Sequence, residues 1–252
     1  MLKKRIIPSL LLKNGRMVKT VQFAGERDTG YPATAASTYD GQRTDELMLL
    51  DIEASEEGRG TLLEMVEEMS ERCFMPLCVG GGIRSVEDIR AILKSGADKV
   101  AINTAAVEVE GLIKQAAEVF GSSTIVASID YKKNPAGKNE VFIRGGSEPT
   151  GLDPVEWAKE VEQRGAGEIF LTSIDCDGKM EGMDIPVIRS IVDAVSVPVI
   201  ASGGVGTLAH LREALVQGGA SAVSAASIFH FTDQSPIKAR KYLVDHGVNV
   251  RR

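Results

Sequence analysis

A closed (βα)₈ barrel of the α/β class, built from two similar half-barrels, is what the sequence predicts, and three observations predict it. Apolar, β-rich runs alternate with amphipathic segments along all 252 residues. The runs are continuously apolar, as strands of a parallel sheet covered by helices are. The pattern is also written twice. Pro76-Leu-Cys-Val-Gly-Gly-Gly82 matches Pro198-Val-Ile-Ala-Ser-Gly-Gly204, and Glu46-Leu-Met-Leu matches Glu168-Ile-Phe-Leu, both at an offset of 122 (198 − 76 and 168 − 46).

In chain order the strands are expected at Arg5–Leu12, Glu46–Ile52, Leu77–Gly80, Lys99–Ile102, Ile125–Asp130, Glu168–Thr172, Val199–Ala201 and Ala222–Ala225. Between the first two lies Thr20–Tyr31, mixing Gly25, Gly30, Glu26, Arg27 and Asp28, which reads as a long loop and a lid. Ser85-Val-Glu-Asp88 reads as a capping box opening a helix that Gly96 closes. After the fifth strand, Asn134–Thr150 reads as a hairpin insertion. Asp153-Pro154 then supplies an N-cap and a proline at the first helical position, with Gly165 past the end. Gly218 and Gly247 are expected to close two further helices. The helices after the two glycine runs keep one register (Ile89/Leu211, Leu93/Leu215, Gly96/Gly218). No linker separates the halves, so one domain, 1–252, is expected, divided near 122/123.

Composition excludes several classes. The net charge of −6 argues against a general nucleic-acid binder. No apolar run reaches the roughly 20 residues that span a bilayer. The N-terminal Met1-Leu-Lys-Lys-Arg enters a strand-like run with no small-residue cleavage site, so no secretory signal is expected. Cys73, Cys78 and Cys176 are too few and scattered for a disulfide framework, and with three histidines they form no metal-ligand spacing. A cytosolic enzyme with no metal and no cofactor is the expectation.

In such a barrel the loops after the strands form the active face. Gly80-Gly-Gly82 and Gly203-Gly204 fall there, each before a helix, where a backbone free of Cβ can approach an anion. The next strand of each half ends in Asn103-Thr104 or Ala226-Ser227, small groups suited to phosphate oxygens. Two phosphate sites on opposite sides of one mouth are predicted, although such glycines also serve tight turns. Lys19 can reach a phosphate or simply be solvated. Asp130, ending the fifth strand, and Asp177, following the sixth beside Gly178, are acid–base candidates; each is alternatively a cap, turn or salt-bridge residue.

These residues carry a resemblance. K-R-I-I (4–7), K-N-G-R-M-V-K (13–19), D-E-L-M-L-L-D-I (45–52), V-G-G-G-I (79–83), G-A-D-K-V-A-I-N-T-A-A-V (96–107), R-G-A-G-E-I (164–169), L-T-S-I-D-C-D-G (171–178), I-A-S-G-G (200–204), A-A-S-I-F-H-F (225–231) and H-G-V-N-V-R (246–251) together resemble the cyclase subunit of imidazole glycerol phosphate synthase over nearly the whole chain. That family's cyclase takes ammonia, through the barrel core, from a glutaminase subunit docked below. The resemblance implies a gate of Arg5, Glu46, Lys99 and Glu168 at the lower mouth, with Asp45 and Asp98 near the docking surface. A ring that only closes the floor is the plainer alternative. It also implies one phosphate site at Gly82, Asn103 and Thr104, and another at Asp177, Gly178, Gly204, Ala226 and Ser227.

One position departs from the pattern. The family has catalytic aspartates at the ends of strands 1 and 5; the second is Asp130, but the first position holds Leu11, which moves no proton. Relatives with such a change resemble proteins of bacterial surface-polysaccharide pathways that turn an acetamido into an acetamidino group. The leading expectation is therefore an ammonia-dependent subunit of a glutamine amidotransferase complex, a heterodimer with a glutaminase, acting on a phosphorylated or nucleotide-sugar acceptor. The alternatives are a histidine-pathway cyclase with the missing carboxylate replaced, and a catalytically silent barrel that activates a glutaminase.

Overall fold

The computed structural model describes residues 3–54 and 57–251. Met1 and Leu2, where the absence of a cleavage site was read, lie outside them.

The strands are β1 (Arg5–Lys13), β2 (Arg16–Val21), β3 (Ala24–Gly30), β4 (Leu47–Asp51), β5 (Leu77–Gly80), β6 (Lys99–Ile102), β7 (Ile125–Lys133), β8 (Asn139–Ile143), β9 (Glu148–Pro149), β10 (Glu168–Ser173), β11 (Val199–Ser202) and β12 (Ala222–Ala225). Eight of them, β1, β4, β5, β6, β7, β10, β11 and β12, pair in parallel in that order. The ring closes where Arg5 of β1 meets Ala222 of β12. Helices intervene between these strands, so the protein is a (βα)₈ barrel. Helices cover the outside of the strands, and the inside is filled by side chains; burial on both faces is why the runs read as continuously apolar.

Local signals act as physics requires. The Ser85 hydroxyl accepts from the Asp88 N–H while the Asp88 carboxylate accepts from Ser85, opening helix Val86–Lys94. Asp153 caps Val155 and Glu156 ahead of helix Pro154–Gln163. One expected terminator differs. Helix Leu208–Val216 is followed by Gly219, not Gly218, in the left-handed region (φ +76). Gly218 is required for closeness instead, since a Cβ there would lie 2.7 Å from the Ala214 carbonyl oxygen.

The segment expected as a lid loop is a β-hairpin. β2 runs antiparallel to β1, with Leu11 opposite Val18, and β3 pairs with β2. Met17 through Thr20 are buried, whereas β3 is mostly exposed and highly charged, so no apolar period betrays it. The turn places both Gln22 and Phe23 at positive φ without a glycine, which removes the usual hairpin signal. The insertion after β7 is a hairpin too, with Asp130 opposite Phe142. Each half-barrel thus extends its first strand into an antiparallel hairpin over the mouth. Phe23 of the first meets the second at Gly146, where a Cβ would lie 3.0 Å from its ring.

Candidate active site

From floor to mouth the barrel interior has three zones. At the floor, Arg5 reaches Glu46 at 2.5 Å and also Glu168; Lys99 reaches Glu46 at 3.1 Å and Glu168 at 2.8 Å. Two cations and two carboxylates alternate in a closed ring with no net charge. Burial alone would lower the pKa of Arg5 and of Lys99, but the two glutamates outweigh it and hold both above their ordinary values. Asp45 and Asp98, expected near a docking surface, both accept a backbone N–H from the neighbouring strand, of Ile6 and Leu77 respectively. Asp98 remains exposed, but Asp45 is buried, so its carboxylate pins β1 and is not presented on the surface.

Above the ring Ile7, Met48, Cys78, Val126, Phe170 and Ile200 fill the barrel with apolar side chains. A cavity of about 240 Å³ then opens toward the strand ends, and Lys19, Asn103, Thr104, Asp130, Asp177 and Ala226 all line it.

Leu11 lines the same cavity. It pairs with Leu50, whereas Asp130 pairs with Thr172. Those partners stand 122 residues apart (172 − 50), so Leu11 occupies in the first half the place Asp130 holds in the second. Asp130 accepts from the Asn103 amide at 3.3 Å. Burial raises its carboxyl to about 7, against a pull downward from the Thr172 hydroxyl and with a further push from the Asp177 charge. A carboxyl poised near neutrality can both give and take a proton.

Lys19 is buried rather than solvated. Its ammonium donates to Asp177 at 2.7 Å and to the Thr20 carbonyl at 2.6 Å. The loop carrying Asp177 packs on the first hairpin: the Gln22 N–H donates to the Asp177 carbonyl, and a Cβ on Gly178 would lie 2.4 Å from the Thr20 oxygen.

The glycine runs answer a backbone demand first. A Cβ at Gly81 would sit 2.1 Å from the Asp51 carbonyl oxygen, and one at its equivalent, Gly203, 2.6 Å from that of Ser173. Gly82 and Gly204 are buried at positive φ. Thr104 and Ser227 open two matching short helices, Thr104–Glu108 and Ser227–Phe231. Ser227 is buried, and the Thr104 hydroxyl already accepts the Arg144 N–H at 3.1 Å, tying it to the second hairpin.

Sequence reasoning missed Asp51, the last residue of β4. It lines the cavity, is buried, and is gripped by Arg59 at 2.6 and 3.1 Å. Its place near the carboxyl end of the expected strand Glu46–Ile52, as Asp130 ends the expected strand Ile125–Asp130, was the available signal; in the structure β7 continues past Asp130 to Lys133 as one arm of the hairpin. Among the described residues no cluster of His, Cys, Asp or Glu could hold a metal ion, and no helix is long and apolar enough to cross a membrane. Compared with known families, residues 5–235 match the family model described as "Histidine biosynthesis protein".

Proposed function

We propose, from the premise that the chain belongs to the histidine biosynthesis protein family, that this barrel enzyme is the ammonia-using subunit of a glutamine amidotransferase complex. Its partner is a glutaminase docked beneath the charged ring. Its acceptor is a phosphorylated or nucleotide-linked sugar, which it converts to an amidino sugar for a bacterial surface polysaccharide. The observation that carries the reading is Leu11 in the place equivalent to Asp130, above a floor ring that keeps all four charges.

An apolar core above the ring favours neutral ammonia over ammonium, because an unpaired cation in such surroundings is strongly penalised. At the mouth, Lys19, the Gly81 backbone and the Asn103 and Thr104 side chains border the space for anionic groups. On an acceptor whose amide oxygen already carries an activating group of the phosphoryl type, ammonia forms the new C–N bond, the C–O bond breaks and the oxygen leaves with that group. Asp130, protonated near neutral pH, gives its proton to the departing oxygen and regains one from the new nitrogen. This needs one carboxyl, whereas ring closure in the resembling cyclases uses two.

The test is co-purification with a glutaminase from the same cell, followed by glutamine-dependent nitrogen transfer to a nucleotide sugar. Ring closure of the histidine-pathway intermediate at ordinary rates would overturn the proposal. That second reading, a working cyclase, has its own support: Asp51 and Asp177 also line the cavity and offer a replacement carboxylate. Complementation of a strain lacking the normal cyclase decides it. Glutaminase activation with no turnover of added ammonia would instead identify a silent barrel.

A further inference from the structure

The hairpin inserted after β7 is tied to Asp130 by an unbroken chain of hydrogen bonds. The Arg144 N–H, at the turn of that hairpin, donates to the Thr104 hydroxyl at 3.1 Å. The Thr104 hydroxyl donates in turn to Asn103 Oδ1 at 3.3 Å. Asn103 Nδ2 then donates to the Ser128 carbonyl at 3.1 Å and to Asp130 Oδ2 at 3.3 Å. The direction of each link follows from chemistry, since a backbone N–H only donates and a backbone carbonyl only accepts. Arg144 makes Thr104 its acceptor, which leaves the hydroxyl proton for Asn103. Ser128 holds the nitrogen of the Asn103 amide on the β7 side, so the amide oxygen faces Thr104.

Two further observations set Asn103 apart. Asparagine is a favoured helix cap, and Asn103 stands at the N-cap of helix Thr104–Glu108, yet its side chain makes no capping bond. It turns to β7 instead. The arrangement also occurs at only one junction of the half-barrels, where β6 meets β7. At the other, where β12 meets β1, the matching positions hold Ala226 and Leu11, whose side chains form no such bond. The hairpin end of the chain is anchored to the same short helix. Arg144 has a left-handed backbone (φ +50), and its guanidinium pairs with Glu108, the last residue of that helix, and with Glu148 of β9 at 3.0 Å.

In a neutral carboxyl, the oxygen that accepts an N–H is the one without the proton, because a proton there would face the donor. We infer that Asn103 and Thr104 are positioning residues through which this hairpin orients the Asp130 carboxyl, leaving Oδ1 as the oxygen that carries the transferable proton. The inference rests on the proposed function in taking Asp130 as the proton donor. It gives the insertion a role and the Asn103 side chain a task other than holding phosphate.

The test is a pH titration of the Asp130 carboxyl by carboxyl-selective NMR on the full chain, which needs neither acceptor nor partner; Asp130→Asn identifies the signal. None of the other substitutions touches a charged group, so the Lys19–Asp177 and Asp51–Arg59 pairs are kept. A carboxylate that loses an N–H donor becomes a stronger base. Asn103→Leu, close in volume, should therefore raise the midpoint by about one pH unit, about tenfold in the ionisation constant. Thr104→Val should shift that constant the same way by roughly threefold, and Thr104→Ser, which keeps the hydroxyl, should leave it in place. Changes in burial alone would make the two shifts add. A chain that runs through Asn103 requires that Thr104→Val move nothing further in the Asn103→Leu background. Asn103→Ala supplies the background if the leucine variant fails to fold. An unmoved midpoint in either folded single variant, or a Thr104→Val shift that persists without Asn103, overturns the inference and leaves the proposed function standing. The expected shifts in a protein that transfers no nitrogen would remove that function and keep the inference.

Discussion

The Lys19 ammonium lies 2.7 Å from the Asp177 carboxylate, and both side chains border the cavity. Only 4% of the Lys19 side chain is exposed, so the pair is a buried one whose anion sits where a ligand's phosphate would compete for the same cation. Removing one partner of a buried pair costs roughly 3–5 kcal/mol, because the other charge is left uncompensated. Asp177→Asn should therefore lower the unfolding free energy by that order in phosphate-free buffer. Added inorganic phosphate should recover part of the loss and raise Tm more in the variant than in the wild type. Equal phosphate shifts in the two proteins would place the anion away from Lys19.

Asp130 sets a pH dependence whose sign follows from its raised pKa. Unfolded, the carboxyl titrates near 3.9; folded, near 7. Between these values the folded state holds the proton that the unfolded chain has lost. The contribution of Asp130 to stability is thus complete below about pH 4, declines as pH rises, and levels off above about pH 7. The slope is about 1.4 kcal/mol per pH unit at most. Asp130→Asn removes this dependence and should be relatively more stable at pH 8 than at pH 5 in denaturant titrations. Its nitrogen-transfer rate should fall by roughly 10²–10⁴-fold. The wild-type rate should decline above pH 7 as the general acid ionises.

The floor ring predicts non-additive mutant effects. Lys99→Met leaves Glu46 and Glu168 sharing Arg5 alone, in a setting where both glutamates are buried. Its cost should fall in the range of a few kcal/mol. The double variant Lys99→Met with Glu46→Gln restores neutrality and should cost less than the sum of the two singles, with a coupling of about 0.5–3 kcal/mol in a double-mutant cycle. If the ring also gates ammonia, the same variants change glutamine-dependent turnover and leave turnover of added ammonium salts alone. Equal changes in both would reduce the ring to a structural floor.

Much of this architecture was legible because the barrel's strands are buried on both faces. β5, β6 and β12 begin and end where their apolar runs do, and the ring residues stand out as charges at strand starts. What escaped did so for local reasons. β3 is a strand made by pairing alone, with an exposed, charged sequence that carries no period. Asp45 reads as a docking-surface residue and Thr104 as a phosphate ligand in the sequence, yet each accepts a backbone N–H across the fold. The glycine repeats announced two anion sites, but backbone crowding at Gly81 and Gly203 demands glycine by itself. The repeat also hid an asymmetry: matching registers say nothing of which member of each pair is apolar, and Leu50 against Thr172 becomes informative only once both are seen to face one cavity.

Leu11→Asp tests whether the cavity can support the two-carboxylate chemistry of the resembling cyclases. In sequence terms the change inserts a charge into Ser9-Leu-Leu-Leu12, which would be ruinous in a sealed core. Leu10 and Leu12 are sealed, but Leu11 points into the cavity and is partly exposed. The folding cost should therefore stay near 1–2 kcal/mol, typical of a single substitution, and a thermal melt should show one cooperative transition. The new carboxylate would share the mouth with Asp130 and Asp177, and like charges resist joint ionisation. Asp130 should therefore titrate higher than in the wild type, a shift readable by carboxyl-selective NMR. Should the variant also close the imidazole ring of the histidine-pathway intermediate when supplied with ammonia, the rest of the cyclase machinery is intact and Leu11 alone redirected it. Should it fold, show the raised Asp130 pKa and still fail to cyclise, the divergence extends to the cavity walls, with Leu50 and Phe23 the next residues to exchange.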